Sequence, residues 1–279
     1  MVAREFRVVT RRRWVADQFS RVGGVQDYGF PVDMGNADPG AIHWAPGAWV
    51  DGVAAAGVRL PMVSCGPWWL DRLPAKYRGR SVVTAPLREW QTRRLAGSVF
   101  VKLPEAKRED FPAQVVDAEH LGEHLAQAPL ALETLIQVQG VRGFHTEARF
   151  WVAHGSITAE SLYRVGDRWW GDNDFAADTE TVAAQRCLRE LRDLARRVVA
   201  DVDCPSGFTI DVGRTVDGDD LVVEANAAWS SGLYDGDPEG IFAAIEAAHD
   251  FDGAHPQWAW SSLCGDRPES VEELAQRPA

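Results

Sequence analysis

Residues 208–226 read Phe208-Thr-Ile-Asp211-Val-Gly-Arg-Thr-Val-Asp217-Gly218-Asp-Asp-Leu-Val-Val-Glu224-Ala-Asn226. Apolar and polar residues alternate on both sides of an Asp-Gly pair, the strongest short-range signal for a β-hairpin. With Asp217 and Gly218 as a two-residue turn, Asp211 lies across from Glu224, and Asn226 follows two residues on along the same face. Phe208, Ile210, Val212, Leu221 and Val223 are then expected to bury only the opposite face. Carboxylates placed side by side repel, and leaving them buried and unpaired is costly. A divalent cation removes that cost. Two carboxylates and an amide oxygen are hard ligands suited to Mg²⁺, with Mn²⁺ as a substitute, and such an ion keeps waters and takes nucleotide phosphates as further ligands. The bland alternative is an acidic strand face turned to solvent.

Working outward, the chain upstream reads as a strand at Ser98–Lys102, a polar loop, a short strand at residues 113–116, a helix over 118–128 and a strand over 134–138. Two further strand-like runs, residues 146–153 and 156–164, meet at His154-Gly155 and predict a second hairpin. Residues 182–202 place Leu191, Ala195 and Val198 on one stripe, with arginines elsewhere, as an amphipathic helix does. Asp237 before Pro238 predicts the capped start of a helix running to residue 248. The first 95 residues mix a strand-like run with long Gly/Pro/Asp-rich loops and read as a small α/β lobe. The expected organisation is an N-terminal lobe over 1–95, a main α+β domain over 96–250 and a tail over 251–279. Trp258 and Trp260 are the tail's candidate packing residues.

The 279 residues suffice for a sizeable core without disulfide or metal staples. A net charge of −12 excludes a chain-wide footprint for nucleic acid or anionic membrane. Cys65, Cys187, Cys204 and Cys264 are scattered, and neither a signal-peptide pattern nor a long apolar run appears, so the expectation is a cytoplasmic protein with no membrane partner. Only Lys76, Lys102 and Lys107 are lysines, against 26 arginines, which marks them for scrutiny. Lysine is a compact point charge suited to a phosphate oxygen, whereas arginine is a planar fork. Lys102 ends a strand and Lys107 lies in the following loop, so both are candidates for one polyphosphate. Arg149 and Arg164, on strands of the second predicted hairpin, are candidates for an anionic partner.

These elements in this order resemble the ATP-grasp superfamily, and residues 99–249 resemble its stand-alone clade named for one arginine and two lysines. The matching text is Phe100-Val-Lys102, then Lys107 ahead of Phe111-Pro-Ala-Gln-Val; Glu147-Ala-Arg149-Phe150 with a following strand ending in Tyr163-Arg164; and Asp211-Val-Gly with Val223-Glu224-Ala-Asn226-Ala-Ala-Trp229-Ser-Ser-Gly232-Leu-Tyr234. The last motif is the specific one. The resemblance implies an α+β fold in which two subdomains enclose ATP, with Lys102 and Lys107 on its phosphates and Gln137 and Val138 beside its adenine. It assigns Mg²⁺ to Asp211, Glu224 and Asn226. It also implies phosphorylation of a carboxylate to an acyl phosphate that an amine then attacks, with small-molecule or peptide substrates. Arg149, Arg164 and Lys107 are the candidates for the transferring group. Ser230, Ser231, Tyr234 and the loop over 166–174 are candidates for the acceptor side. Residues 103–110 contain no glycine, so Lys107 stands where the family has a glycine-rich phosphate loop.

Three rival readings exist. His120-Leu-Gly-Glu123-His124 has the spacing of an inverted zinc-peptidase motif, although Gly122 weakens the helix it needs and no third ligand follows. Lys76-Tyr-Arg-Gly79 has the shape used by covalent nucleotidyltransferases and would make the chain an RNA-end ligase with RNA as its partner. A non-catalytic nucleotide-binding module is the third, with tryptophan pairs Trp68-Trp69 and Trp169-Trp170 as an interface.

Overall fold

A computed structural model describes residues 4–172 and 175–261. Its strands are β1 (Phe6–Val9), β2 (Gly24–Asp27), β3 (Ile42–Trp44), β4 (Val82–Pro86), β5 (Ser98–Lys102), β6 (Gln114–Asp117), β7 (Leu135–Gly140), β8 (Phe144–Ala153), β9 (Ser156–Val165), β10 (Arg168–Trp169), β11 (Gly207–Thr215) and β12 (Asp220–Asn226). The helices are α1 (Arg13–Ser20), α2 (Gly47–Ala55), α3 (Trp69–Arg72), α4 (Ala75–Arg78), α5 (Leu87–Trp90), α6 (Leu121–Ala126), α7 (Thr179–Ala184), α8 (Leu188–Asp201) and α9 (Pro238–Ala247). Strands and helices share one chain without regular β-α alternation, so the class is α+β, as expected.

The described residues form two compact units. The first joins the residues up to Cys65 with Phe144–Trp260, and the second spans Gly66–Gly143. The expected break at residue 95 is not where the chain divides. β4 pairs antiparallel with β7, fifty residues downstream, and this ladder draws residues 66–95 into the second unit. Such a pairing is non-local and leaves no mark in local composition.

The first unit contains an antiparallel sheet ordered β10-β9-β8-β11-β12 and a smaller parallel sheet ordered β2-β1-β3. Parity decides which face of the large sheet does what. Phe150 pairs with Glu160 and Ile210, and Arg192 of α8 bonds Glu160, so α8 covers that face. Arg149, Trp151, Thr209 and Asp211 alternate onto the other face. α9 lies on this second face, where Trp151 and Ala159 join Ile241, Ala244 and Ile245 in one apolar core with the small sheet. α9 begins as expected, with Asp237 accepting from the Gly240 amide at 2.9 Å. Trp260 meets Trp229 edge-on at 5.6 Å, so the start of the expected tail packs into this core. Cys264 and the rest of that tail lie outside the described residues.

The long helix expected over 182–202 is two helices, α7 and α8, interrupted at residues 185–187. α8 keeps the expected stripe, burying Leu191, Ala195 and Val198. The second unit is an antiparallel sheet ordered β4-β7-β5-β6. α5 and α6 close its core around Trp90, Leu121 and Leu125. Among the described residues, no helix is long and apolar enough to cross a membrane.

Candidate active site

Asp211 pairs directly with Glu224 across β11 and β12, and Thr209 with Asn226. The predicted pairing is therefore observed, by a different route. The loop holds three residues, Val216 to Gly218, closed by the Thr215 amide donating to the Asp219 carbonyl at 2.8 Å, with Gly218 at φ 93°. That is the three-residue hairpin in which a left-handed glycine ends the turn. It shifts pairing by one residue, and a bulge at Val223 shifts it back between Val212 and Asp211. In consequence Val222, rather than Val223, is fully buried. Both faces of β11 are covered, since Thr209 and Asp211 are as buried as Phe208 and Ile210, so the expectation of a single buried face does not hold.

One row crosses four strands on the second face: Ser161 on β9, Arg149 on β8, Asp211 on β11 and Glu224 on β12. Arg149 grips Asp211 with both arms, Nε to Oδ1 at 2.8 Å and Nη2 to Oδ2 at 2.7 Å. Both side chains are almost wholly buried. Burial by itself would lower the Arg149 pKa, but the Asp211 carboxylate outweighs it and holds the guanidinium firmly protonated. Asn226 Nδ2 donates to Glu224 Oε1 at 2.9 Å, which leaves the amide oxygen for another partner.

A second set of residues flanks Arg149. Buried Glu147 accepts from the Tyr163 hydroxyl and from Arg164 Nη1, each at 2.6 Å. Burial raises the Glu147 carboxyl above its ordinary range, against those two donors, and the nearby Asp211 charge adds to the rise. Burial, then the carboxylates of Asp211 and Glu147, lift the Tyr163 phenol well above its usual value. Tyr234, at φ 49°, stacks on Tyr163 with ring centres 4.9 Å apart. The Arg149 guanidinium sits 5.2 Å from the Tyr234 ring centre. Burial pushes the Tyr234 phenol up to about 12. Sequence reasoning quoted Glu147 and Tyr163 in motifs but gave them no role. Period-two spacing from Arg149 was the available signal for Glu147.

One acceptor-side candidate is otherwise employed. Ser231 is buried, with its hydroxyl donating to the Ala227 carbonyl at 2.8 Å and lying 3.0 Å from the Thr209 hydroxyl. It locks the turn after β12 and presents no group to a ligand. Ser230 ends the short helical turn Ala228–Ser230. Tyr234, by contrast, belongs to the cluster around Arg149.

In the second unit, Lys102 ends β5, half-buried and paired in register with Gln137, and Lys107 is exposed in the following loop. Gln137 and Val138 lie on the central strand β7, with ladders to β4 and β5 on either side. The Gln137 amide donates to the Thr84 hydroxyl at 3.0 Å and accepts from Gln139 at 2.7 Å. Asp71 accepts from the same Thr84 hydroxyl at 2.8 Å, and burial raises its pKa.

The rival motifs have structural explanations. Gly79 takes the left-handed conformation that ends α4, and Lys76 lies over the Tyr77 ring, so the Lys-x-x-Gly pattern is a helix and its cap. His120 ends a 3₁₀ turn and faces Asp117, whereas His124 sits on α6 against Phe111. A Cβ at Gly122 would lie 3.0 Å from the Gln91 carbonyl, which accounts for the glycine. Among the described residues, no group of three or more His, Cys, Asp or Glu side chains could hold a metal ion. An ion at Asp211 and Glu224 must therefore draw its remaining ligands from Asn226, water or substrate. With hard oxygens on paired strands, this donor set fits Mg²⁺ of that kind.

A family model described as an ATP-grasp domain, family 3 of the clade named for one arginine and two lysines, matches residues 32–245. No curated protein matches the chain. Among solved structures, a RimK-domain ATP-grasp protein from Sphaerobacter thermophilus DSM 20745 is 16% identical, with a TM-score of 0.47 over 88% of this chain and 98% of that one. D-cycloserine synthetase DcsG is 17% identical, with a TM-score of 0.45 over 87% of this chain and 98% of that one. N5-carboxyaminoimidazole synthetase from Staphylococcus aureus, complexed with ADP, is 8% identical, with a TM-score of 0.45 over 88% of this chain and 77% of that one.

Proposed function

The chain belongs to the ATP-grasp domain family, in family 3 of the one-arginine, two-lysine clade, and from that premise we propose that it is a ligase joining a carboxylate to an amine at the expense of ATP. Members of this fold are typically ATP-dependent carboxylate-amine ligases, so the nucleotide, the metal and the reaction class come from the family. The observation that carries the reading to this chain is the Arg149–Asp211–Glu224 row with Asn226 beside it. A buried charge pair with a second carboxylate beside it is expensive to maintain for structure alone.

In this reading Asp211, Glu224 and Asn226 hold Mg²⁺, whose chemistry there is to neutralise phosphate charge during phosphoryl transfer. Lys102 and Lys107 take the nucleotide phosphates, with Gln137 and Val138 toward the adenine. The substrate carboxylate attacks the γ-phosphorus and ADP leaves. The resulting acyl phosphate is attacked by the amine, which forms the amide and expels phosphate. Arg149 supports Asp211 and offers positive charge to the transferring group. Arg164, held by Glu147, offers positive charge from β9.

The test incubates the protein with ATP, Mg²⁺ and pooled carboxylates and amines and resolves the nucleotide product. ADP with phosphate, dependent on a carboxylate, supports the ligase. AMP would overturn it in favour of nucleotidyl transfer, and no turnover with retained nucleotide binding would make the chain a binding module. Glu224→Gln keeps the shape and removes one charge, and is expected to lower turnover at least about 100-fold without changing the far-ultraviolet spectrum. Unchanged turnover would remove Glu224 from the site.

A further inference from the structure

The ligase reading leaves one conspicuous side chain without a task. Trp169 has half its surface exposed, on a backbone held at several points. β10 pairs it in register with Arg164. Its amide donates to Asp172 Oδ2 at 2.7 Å, and the next amide, of Trp170, donates to the Tyr163 carbonyl at 2.8 Å. A half-exposed indole on a pinned strand presents a broad apolar face that a surface serving only solubility does not need.

Its neighbours suggest what the ring receives. The Arg164 guanidinium lies 5.2 Å from its ring centre. Arg164 spends Nη1 on Glu147 and Nε on the Gly166 carbonyl, at 2.6 and 3.2 Å. Nη2 has no hydrogen bond among the described residues, so an arginine donor remains beside a half-exposed indole. The indole also neighbours the stacked rings of Tyr163 and Tyr234, with centres 6.2 Å and then 4.9 Å apart, and half of its surface stays open. The Glu147 carboxylate is already balanced by Arg164, so this pair carries no net negative charge to draw an ammonium group.

We propose that Trp169 and Arg164 form a subsite for an aromatic carboxylic acid, with its ring on the indole and its carboxylate on Arg164. This names a substrate class for the proposed ligase and rests on that reading. Planar stacking supplies selectivity for the ring, and a charge-assisted bond to a guanidinium supplies selectivity for the acid.

The test needs no ATP. Binding of 3-phenylpropanoate, 3-cyclohexylpropanoate and 3-phenylpropylamine to the full chain is measured by calorimetry and saturation-transfer NMR. The first two share an acid and a similar size but differ in planarity, and the third exchanges acid for amine. The expected order has the phenyl acid at least about tenfold tighter than either. Trp169→Ala is expected to abolish that preference and Trp169→Phe to restore most of it, with cyclohexyl-acid binding unchanged by both. Equal binding of phenyl and cyclohexyl acids, tighter binding of the amine, or no binding by the wild-type chain would each overturn the proposal. A preference retained in Trp169→Ala would do the same. Should Trp169→Ala fail to fold, the wild-type ligand series and Trp169→Phe decide alone. Phenyl-acid binding without ADP formation under any pooled substrates would sink the ligase reading and leave the subsite standing.

Discussion

Arg149 and Asp211 illustrate why a buried charge pair is judged by what its removal leaves behind. Replacing a single partner strands the other, which typically costs about 3–5 kcal/mol, whereas replacing both can be nearly neutral. Asp211→Asn and Arg149→Met are each expected to lower stability by about 3 kcal/mol or more. The double variant should lose much less than the sum, and chemical denaturation of the four proteins measures the coupling. Additive losses would mean that the two side chains act independently. The pairing of Asp211 with Glu224 was legible only because two departures cancel, a third loop residue and the bulge at Val223, neither of which an Asp-Gly pair announces. The bidentate grip of Arg149 was not, since it depends on β8 lying beside β11. The actual employment of Ser231 was hidden for the same reason. A serine three residues before a tyrosine gives no sign that its hydroxyl is spent inside a turn.

Among the elements, α9 is held against the large sheet with no room to spare. A Cβ on Gly240 would overlap the Thr158 carbonyl oxygen, and one on Gly207 would overlap the Ala244 carbonyl oxygen. Both obstacles are backbone atoms, so neither can be relieved by a rotamer change. Gly240→Ala is expected to cost about 2 kcal/mol or more despite the better helix propensity of alanine, with Gly207→Ala at least as severe. A denaturation midpoint within error of wild type would show that α9 can lift. The legibility of elements follows the same division between local and distant causes. The second hairpin, α8 and the cap of α9 were readable from periodicity and Asp-Pro chemistry. The break between α7 and α8 has no proline or glycine to announce it, and the placement of β4 beside β7 is set by pairing across fifty residues.

For the whole molecule, acid is the expected weak point. His249 follows the end of α9 with Nδ1 bonded to the Ile245 carbonyl at 2.8 Å and Nε2 accepting the His43 amide of β3 at 3.1 Å. Both ring nitrogens are satisfied only while the imidazole is neutral. Burial, with a smaller push from His43, lowers its pKa to about 4. Burial and then Arg7 lower His43 as well. The folded pKa of His249 is thus below the unfolded one, so the unfolded chain binds the proton more readily. Its contribution is fully present above the ordinary histidine range and is lost as pH falls from about 6.5 toward 4. The loss amounts to about 3 kcal/mol from this group, at 1.36 kcal/mol per pKa unit. Denaturation at about pH 7 and about pH 4.5 should show His249→Gln losing less stability on acidification than the wild type. Equal losses would place the acid sensitivity elsewhere.

The hairpin tip offers a practical return. A two-residue turn without a bulge and a three-residue turn with one place Asp211 against the same Glu224, so the bulge at Val223 acts as a slip coupling between tip and site. Exposed residues 216–218 are therefore the expected place for an affinity tag or a fluorophore attachment sequence that leaves the carboxylates beyond Val223 aligned.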